Sequence, residues 1–255
     1  PNAGSEALRK QARVAFQTGV KGAFLIPSGL PGESAAREHR LLAACEEAGL
    51  AVVVLERNVG GAGSPMLRDL VGTDDLDGGR QVAQHLYATG RTRVTFAAPA
   101  APGASHADRL AGYLHATHVA GREPLVVEIP TDADGRSDFG TVCDRLLAER
   151  ADAAIGFCDT AAFGLMLELL RRGLSVPGHV AVAGFDDQPI GTTFTLGLTT
   201  YAQPADAIAA QAVDAMLWRL ANPTAAYRKL TIPGRLVVRD SSRPPTVPTV
   251  RGSGS

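Results

Sequence analysis

Two adjacent carboxylates, Asp186 and Asp187, close a short apolar run inside VAVAGFDDQPIGTTFTLGLTTYAQ, residues 180–203. The run at residues 180–183, bounded by Gly184, reads as a strand buried on both faces. In an open α/β sheet, ligands bind in the crevice outside the carboxyl ends of the strands. Carboxylates placed there suit hydroxyl-rich or amine-bearing ligands, because an ionised Asp accepts several hydrogen bonds at once. The competing reading is that both side chains cap the following turn through backbone N–H groups. The stretch runs on to LTTYAQP, residues 198–204, whose Gln203 both donates and accepts. Phe185 is of a type that stacks on a ligand ring, and equally of a type that fills a core.

Other candidates stand at other element ends. Arg109 follows a Gly/Pro/Ala-rich loop at residues 100–105 and lies near the start of a helical pattern. Its planar fork matches a hydroxyl pair, a carboxylate or a phosphate; the plain alternative is a solvated helix arginine. Asp77, in DDLDGG at residues 74–79, lies at a helix start, where the dipole favours a carboxylate whatever its function. Ser28 is a hydroxyl just past the apolar pattern of residues 22–26. The six histidines show no ligand spacing on one face, so no metal site is expected. Gly60-Gly61-Ala62-Gly63 looks like a phosphate loop, but Met66 stands where a third glycine is needed. No Gly-x-Ser-x-Gly elbow occurs. The residues therefore point to a binding protein and not an enzyme, with no cofactor.

These groups must be positioned by alternating elements. Helical patterns cover residues 5–18, 34–48, 75–89, 107–120, 138–149, 160–172 and 204–220. Strand patterns cover residues 22–26, 51–55, 69–72, 93–97, 125–129, 153–157, 180–183 and 235–239. Short apolar runs between amphipathic helices mean βαβ units and parallel sheets. Gly19, Gly49, Gly90, Gly121 and Gly173 stand just past helical patterns, where a left-handed residue ends a helix. The end of the chain, residues 244–255, is rich in Pro, Gly, Ser and Thr and reads as a disordered tail.

With 255 residues, 45% of them hydrophobic, the chain can bury a large core or two lobes. A net charge of −1 argues against this chain alone holding nucleic acid by phosphate neutralisation. No apolar run reaches the roughly 18 residues of a membrane helix, and no secretory leader is visible. Three cysteines without metal spacing, Cys45, Cys143 and Cys158, read as free thiols of a reduced, cytoplasmic protein.

Several motifs in one order give the chain a family resemblance. They are VKGAFLIP at residues 20–27, VGTDDLDGGR at 71–80, His85-Leu86 with GRTRV at 90–94, and Arg109 with Gly112-Tyr113. Asp159, Ala162 and Gly164 follow, then residues 176–189, LTTYAQ at 198–203 and LVVRDSS at 236–242. In these the chain resembles the effector-binding and dimerisation core of LacI/GalR-family transcription regulators, itself similar to periplasmic sugar-binding proteins. The resemblance implies a two-lobed α/β fold, each lobe a mostly parallel sheet flanked by helices, with a ligand cleft between them. It implies an N-terminal lobe of residues 1–89 plus 204–233 and a C-terminal lobe of residues 91–202 plus 234–242. The chain would cross between lobes near residues 89–91, near Gln203 and near Pro233.

By the same resemblance Asp186, Arg109 and Gln203 bind the effector, a sugar or similar polar metabolite, with Cys158 and Asp159 in the site; Ser28, Phe185 and Asp77 are the further ligand candidates read from the residues. Cys158 stands where the family carries Asn, which weakens ordinary sugar recognition at that point. Ala substitution of Asp186 or Arg109 is expected to abolish binding and spare the fold. The remaining implications are a homodimer, operator DNA held through a helix-turn-helix headpiece outside this chain, and no membrane. The family's first strand-helix-strand unit is also unmatched, and its absence would expose strand edges in the first lobe. The rivals are a solute-binding protein feeding a transporter and a doubly wound enzyme.

Overall fold

The computed structural model describes residues 3–28, 32–61, 63–100, 103–131, 134, 136–189 and 196–243; the expected tail lies outside them. The first sheet takes β1 (Gly22–Leu25), β2 (Ala51–Leu55), β3 (Asp69–Thr73) and β9 (Lys229–Ile232), all parallel and paired consecutively in that order. These strands pair consecutively, and among the described residues the edges of the sheet are β1 and β9. The second sheet has the order β10-β8-β7-β6-β4-β5. Its strands are β4 (Val94–Pro99), β5 (Leu125–Ile129), β6 (Ala153–Gly156), β7 (Ala181–Phe185), β8 (Thr199–Ala202) and β10 (Arg235–Val237). Only β10 runs antiparallel to its neighbour. The helices are α1 (Ala3–Gln17), α2 (Glu33–Glu47), α3 (Asp75–Ala88), α4 (Ala104–Val119), α5 (Phe139–Ala148), α6 (Asp159–Arg171) and α7 (Ala205–Ala221).

Alternation across the pleat divides each core in two. In β2, Val52 and Val54 face α1 and α2 with Leu42 and Leu50, while Val53 faces α7 with Ile208, Ala215 and Met216. The second sheet buries Leu146, Leu165, Met166 and Val182 on one face and Val82, Leu86, Phe96, Tyr113 and Phe185 on the other. The helix-stop glycines behave as expected: Gly49 takes φ +75°, and Leu50 N–H donates to Cys45 carbonyl at 2.9 Å.

Three expectations need correction. Helix α3 belongs with the second sheet and not the first: it packs on α4, β4, β6, β7, β8 and β10, and its Val82 and Leu86 share a cluster with Phe96 and Tyr113. The first crossing thus falls between Thr73 and Asp75, ahead of the helix and not behind it at residues 89–91. Strands β8 and β9 were not foreseen as strands. Each is four residues long, too short for TTYA or the alternating KLTI to stand out from the neighbouring sequence.

The α3–α4 pair approaches backbone to backbone. A Cβ built on Gly79 would lie 1.9 Å from the Arg109 carbonyl oxygen, and one on Gly112 would lie 2.0 Å from that of Leu76. Gly112→Ala should therefore cost about 3 kcal/mol or more, because neither helix can yield alone. Gly121→Ala, at φ +64° with nothing nearby, should cost about 1–2 kcal/mol from backbone strain alone. Equal losses for the two variants in urea titrations would reject close helix contact as the reason for Gly112.

Candidate functional site

Arg109 is held in the first turns of α4, and its side chain is only 5% exposed. Its Nε donates to Asp75 Oδ1 at 2.7 Å, one terminal nitrogen donates to the Phe157 carbonyl at 2.8 Å, and the other donates to Asp186 Oδ1 at 3.0 Å. The guanidinium lies 4.7 Å over the Phe185 ring. Gln203, in the crossing after β8, donates its amide to the same Asp186 oxygen at 2.7 Å. The second Asp186 oxygen receives no hydrogen bond among the described residues, and this carboxylate is 22% exposed. Asp186 takes φ +110° and Asp187 φ +53°, unusual for non-glycine residues and found at the carboxyl end of β7.

Asp75 opens α3. Burial pushes its carboxyl up to about 6 and outweighs the attraction of Arg109. Asp159 is also pushed to about 6 by burial, although Thr200 hydroxyl and Gln188 N–H donate to it at 2.7 and 2.8 Å.

A cavity of ≈ 50 Å³ lies between the two sheets. Glu56, Arg57, Thr73 and Lys229 line it from the first lobe, and Asp75, Ser105 and Asp108 from the second. A compartment of ≈ 170 Å³ adjoins it and shares Asn58, Asp108 and Lys229. The smaller space has room for a few waters, whereas ligand pockets start at roughly 300 Å³.

The expected site residues divide. Asp186, Arg109 and Gln203 come together as one hydrogen-bonded group. Asp187 accepts from Arg239 at 2.7 Å. Four other expectations are corrected. Asp159 is fully buried and serves Thr200 and Gln188 beneath the surface. Phe185 is fully buried as well, a floor under Arg109 and not a ligand platform. Asp77 is committed to Arg80 at 3.0 Å and Gln81 at 2.5 Å, while Asp74 caps α3 by accepting from Asp77 N–H. Ser28 does not line the cavity; its N–H donates to Glu38 at 2.6 Å. Cys158 precedes α6, half-buried, with its thiol pushed up by burial. Residues not foreseen are Asp75, Glu56, Arg57 and His106. The available signal was position: Glu56 and Arg57 follow β2 as Asp186 follows β7, and His106 is three residues before Arg109.

A family model described as a periplasmic binding protein-like domain matches residues 83–242, more than half of the chain, and the chain belongs to that family. The Escherichia coli (strain K12) ribose operon repressor is 30% identical over 177 residues, covering 68% of this chain and 53% of the repressor. The chain spans about half the length of the curated relatives it matches. Among solved structures, the transcriptional regulator CelR–cellobiose complex is 26% identical with a TM-score of 0.74, over 93% of this chain and 69% of CelR. A LacI family transcriptional regulator from Enterococcus faecium with bound ribose has the same fold, with a TM-score of 0.74 and 23% identity over 95% of this chain and 85% of that one. Among the described residues, no helix is long and apolar enough to cross a membrane, and no His/Cys/Asp/Glu group could hold a metal.

Arg109→Met strands the buried Asp75 charge and should cost about 3–5 kcal/mol at pH 7.5. This predicted loss differs from the expectation that removing Arg109 spares the fold. The folded pKa of Asp75 already lies above its unfolded value of 3.8, so its contribution is favourable at low pH and lost as pH rises through about 6. Without Arg109 the carboxyl rises further. The deficit of the variant relative to wild type should therefore shrink between pH 7.5 and pH 5. A deficit independent of pH in denaturant titrations would rule out the stranded carboxylate as its cause.

Proposed function

We propose that this chain is the effector-sensing core of a LacI-type transcription regulator, binding a sugar or similar polyol between its lobes. The observation that carries the reading is the Arg109–Asp186–Gln203 group. It presents a carboxylate whose one oxygen is fully engaged by Arg109 and Gln203 and whose other oxygen has hydrogen-bonding capacity for a ligand hydroxyl. Gln203 belongs to a lobe crossing, so a ligand at Asp186 bears directly on the segment that sets the angle between the lobes. Sugar regulation in the relatives' names supports the same class of ligand, with the ribose operon repressor and the CelR–cellobiose complex as examples. A solute-binding protein of a transporter would share the cleft; the regulator and repressor names of the relatives favour the present reading. On it, the protein works as a cytoplasmic homodimer, acts by binding and not by catalysis, and controls operator DNA through a separate DNA-binding domain. The effector changes DNA affinity only by as much as it prefers one lobe arrangement to the other.

Thermal melting against sugars, sugar derivatives, nucleosides and polyols tests this. A ligand at a hundredfold excess over its Kd should stabilise the fold by about 2.7 kcal/mol. Asp186→Ala should weaken that ligand by about 2–4 kcal/mol while still melting cooperatively. A ligand whose affinity ignores Asp186→Ala would move the site elsewhere, and a cooperative melt that no ligand shifts would count against the reading as a whole.

A further inference from the structure

Two buried polar atoms at the cleft have no hydrogen-bond partner among the described residues: Arg57 Nε and His106 Nδ1. Arg57 lines the cavity from the end of β2. His106 stands in the first turn of α4, whose Ala104, Ser105 and Asp108 line the same cavity, and its ring packs edge-on to Phe157 at 4.6 Å between centroids. A buried donor or acceptor left unmade is costly, so such atoms are expected to meet a partner in some functional state.

The charges around them are unevenly committed. Arg109 is neutralised by Asp75 and Asp186. Lys229 sits 3.8 Å from Asp108. Glu56 accepts from the Thr73 hydroxyl at 3.3 Å. Arg57 forms no ion pair among the described residues. Burial, then Arg109 from its own helix and Arg57 from across the cleft, push the His106 imidazole down to about 4, so it is neutral at pH 7. A neutral imidazole beside an uncommitted guanidinium is a pair that an anion completes. The anion accepts from Arg57, and it favours a second N–H on His106.

We propose that the effector carries an anionic group, a carboxylate or phosphate, held between Arg57 and His106, with its hydroxyl-bearing body reaching Asp186. This deepens the effector-cleft reading and rests on it. The ligand class is then a sugar acid or sugar phosphate in place of a neutral sugar. Because the bound anion stabilises the imidazolium, binding takes up a proton at His106.

Calorimetric titrations with matched sets test the inference: glucose, glucuronate, gluconate and glucose 6-phosphate, and ribose, ribonate and ribose 5-phosphate. The expected result is that one anionic form binds at least tenfold tighter than its neutral parent. The acid and phosphate members of each set distinguish the two anion sources. Arg57→Met should reduce that form to the affinity of the neutral parent. For a sugar acid, whose own charge is constant from pH 7.5 to pH 5.5, affinity should rise as pH falls, and His106→Gln should remove the rise. Neutral sugars binding as tightly as their anionic forms, with Asp186→Ala abolishing both, would overturn this inference and leave the effector cleft standing. An anion whose affinity Arg57→Met and His106→Gln leave untouched would overturn it too. No binding by any member of either set would overturn this inference and leave the effector-cleft reading to the wider thermal-melting panel.

Discussion

A guanidinium buried between two carboxylates is the constraint on which the second lobe depends. Arg109 lies at 5% exposure, and the Asp75 side chain at 4%. Buried charges on this scale are tolerable only when paired and fully hydrogen-bonded. That requirement fixes three elements at once: the start of α3 through Asp75, the first turns of α4 through Arg109, and the end of β7 through Asp186. It also explains the glycines. Arg109 reaches Asp75 because α4 lies directly against α3, and the two helices touch backbone to backbone at Gly79 and Gly112. Phe185 supplies the apolar floor, and its neighbour Asp186 is turned into a positive-φ conformation so that its carboxylate meets the guanidinium.

Much of the fold is written locally. Helix stops are legible because glycine alone enters the left-handed region cheaply, and the buried strands are legible as unbroken Val/Ala runs. What is not local is which sheet a helix covers. The amphipathic pattern of α3 says only that one face is buried. Its partner is decided by Gly78, against which Tyr201 packs, and by Gly79, which admits α4. Both facts require the tertiary neighbours. Strands β8 and β9 fail for a different reason: β8 is buried on both faces despite two threonines, whose hydroxyls are satisfied by Asp159, Ser242 and the Arg239 carbonyl.

The candidate site was legible in part. Asp186, Arg109 and Gln203 sit at element ends and converge in one hydrogen-bonded group. Asp159 sits at an element end too, yet is consumed by Thr200 and the Gln188 N–H. Burial separates the two cases, and a sequence carries no direct record of the burial of a polar group. Asp75 was hidden among Asp74 and Asp77, three carboxylates at one helix start that share a composition and divide the roles of cap, buried counter-ion and surface ion pair.

The crossings give this arrangement its mechanical meaning. Asp74 N–H donates to the Ile232 carbonyl at 2.9 Å, which ties the first crossing to the end of β9. Gly234 N–H donates to the Tyr201 hydroxyl at 2.7 Å, which ties the last crossing to β8. Gln203 in the remaining crossing is bound to Asp186. The crossings are thus hydrogen-bonded to neighbouring strand ends, and one of them to the carboxylate assigned here to the effector. The ≈ 50 Å³ space between the lobes adjoins a compartment of ≈ 170 Å³, and any change in the angle between the lobes would be absorbed at the crossings. On the proposed reading, a ligand at Asp186 would act on Gln203 in the crossing directly, because Gln203 donates to that carboxylate.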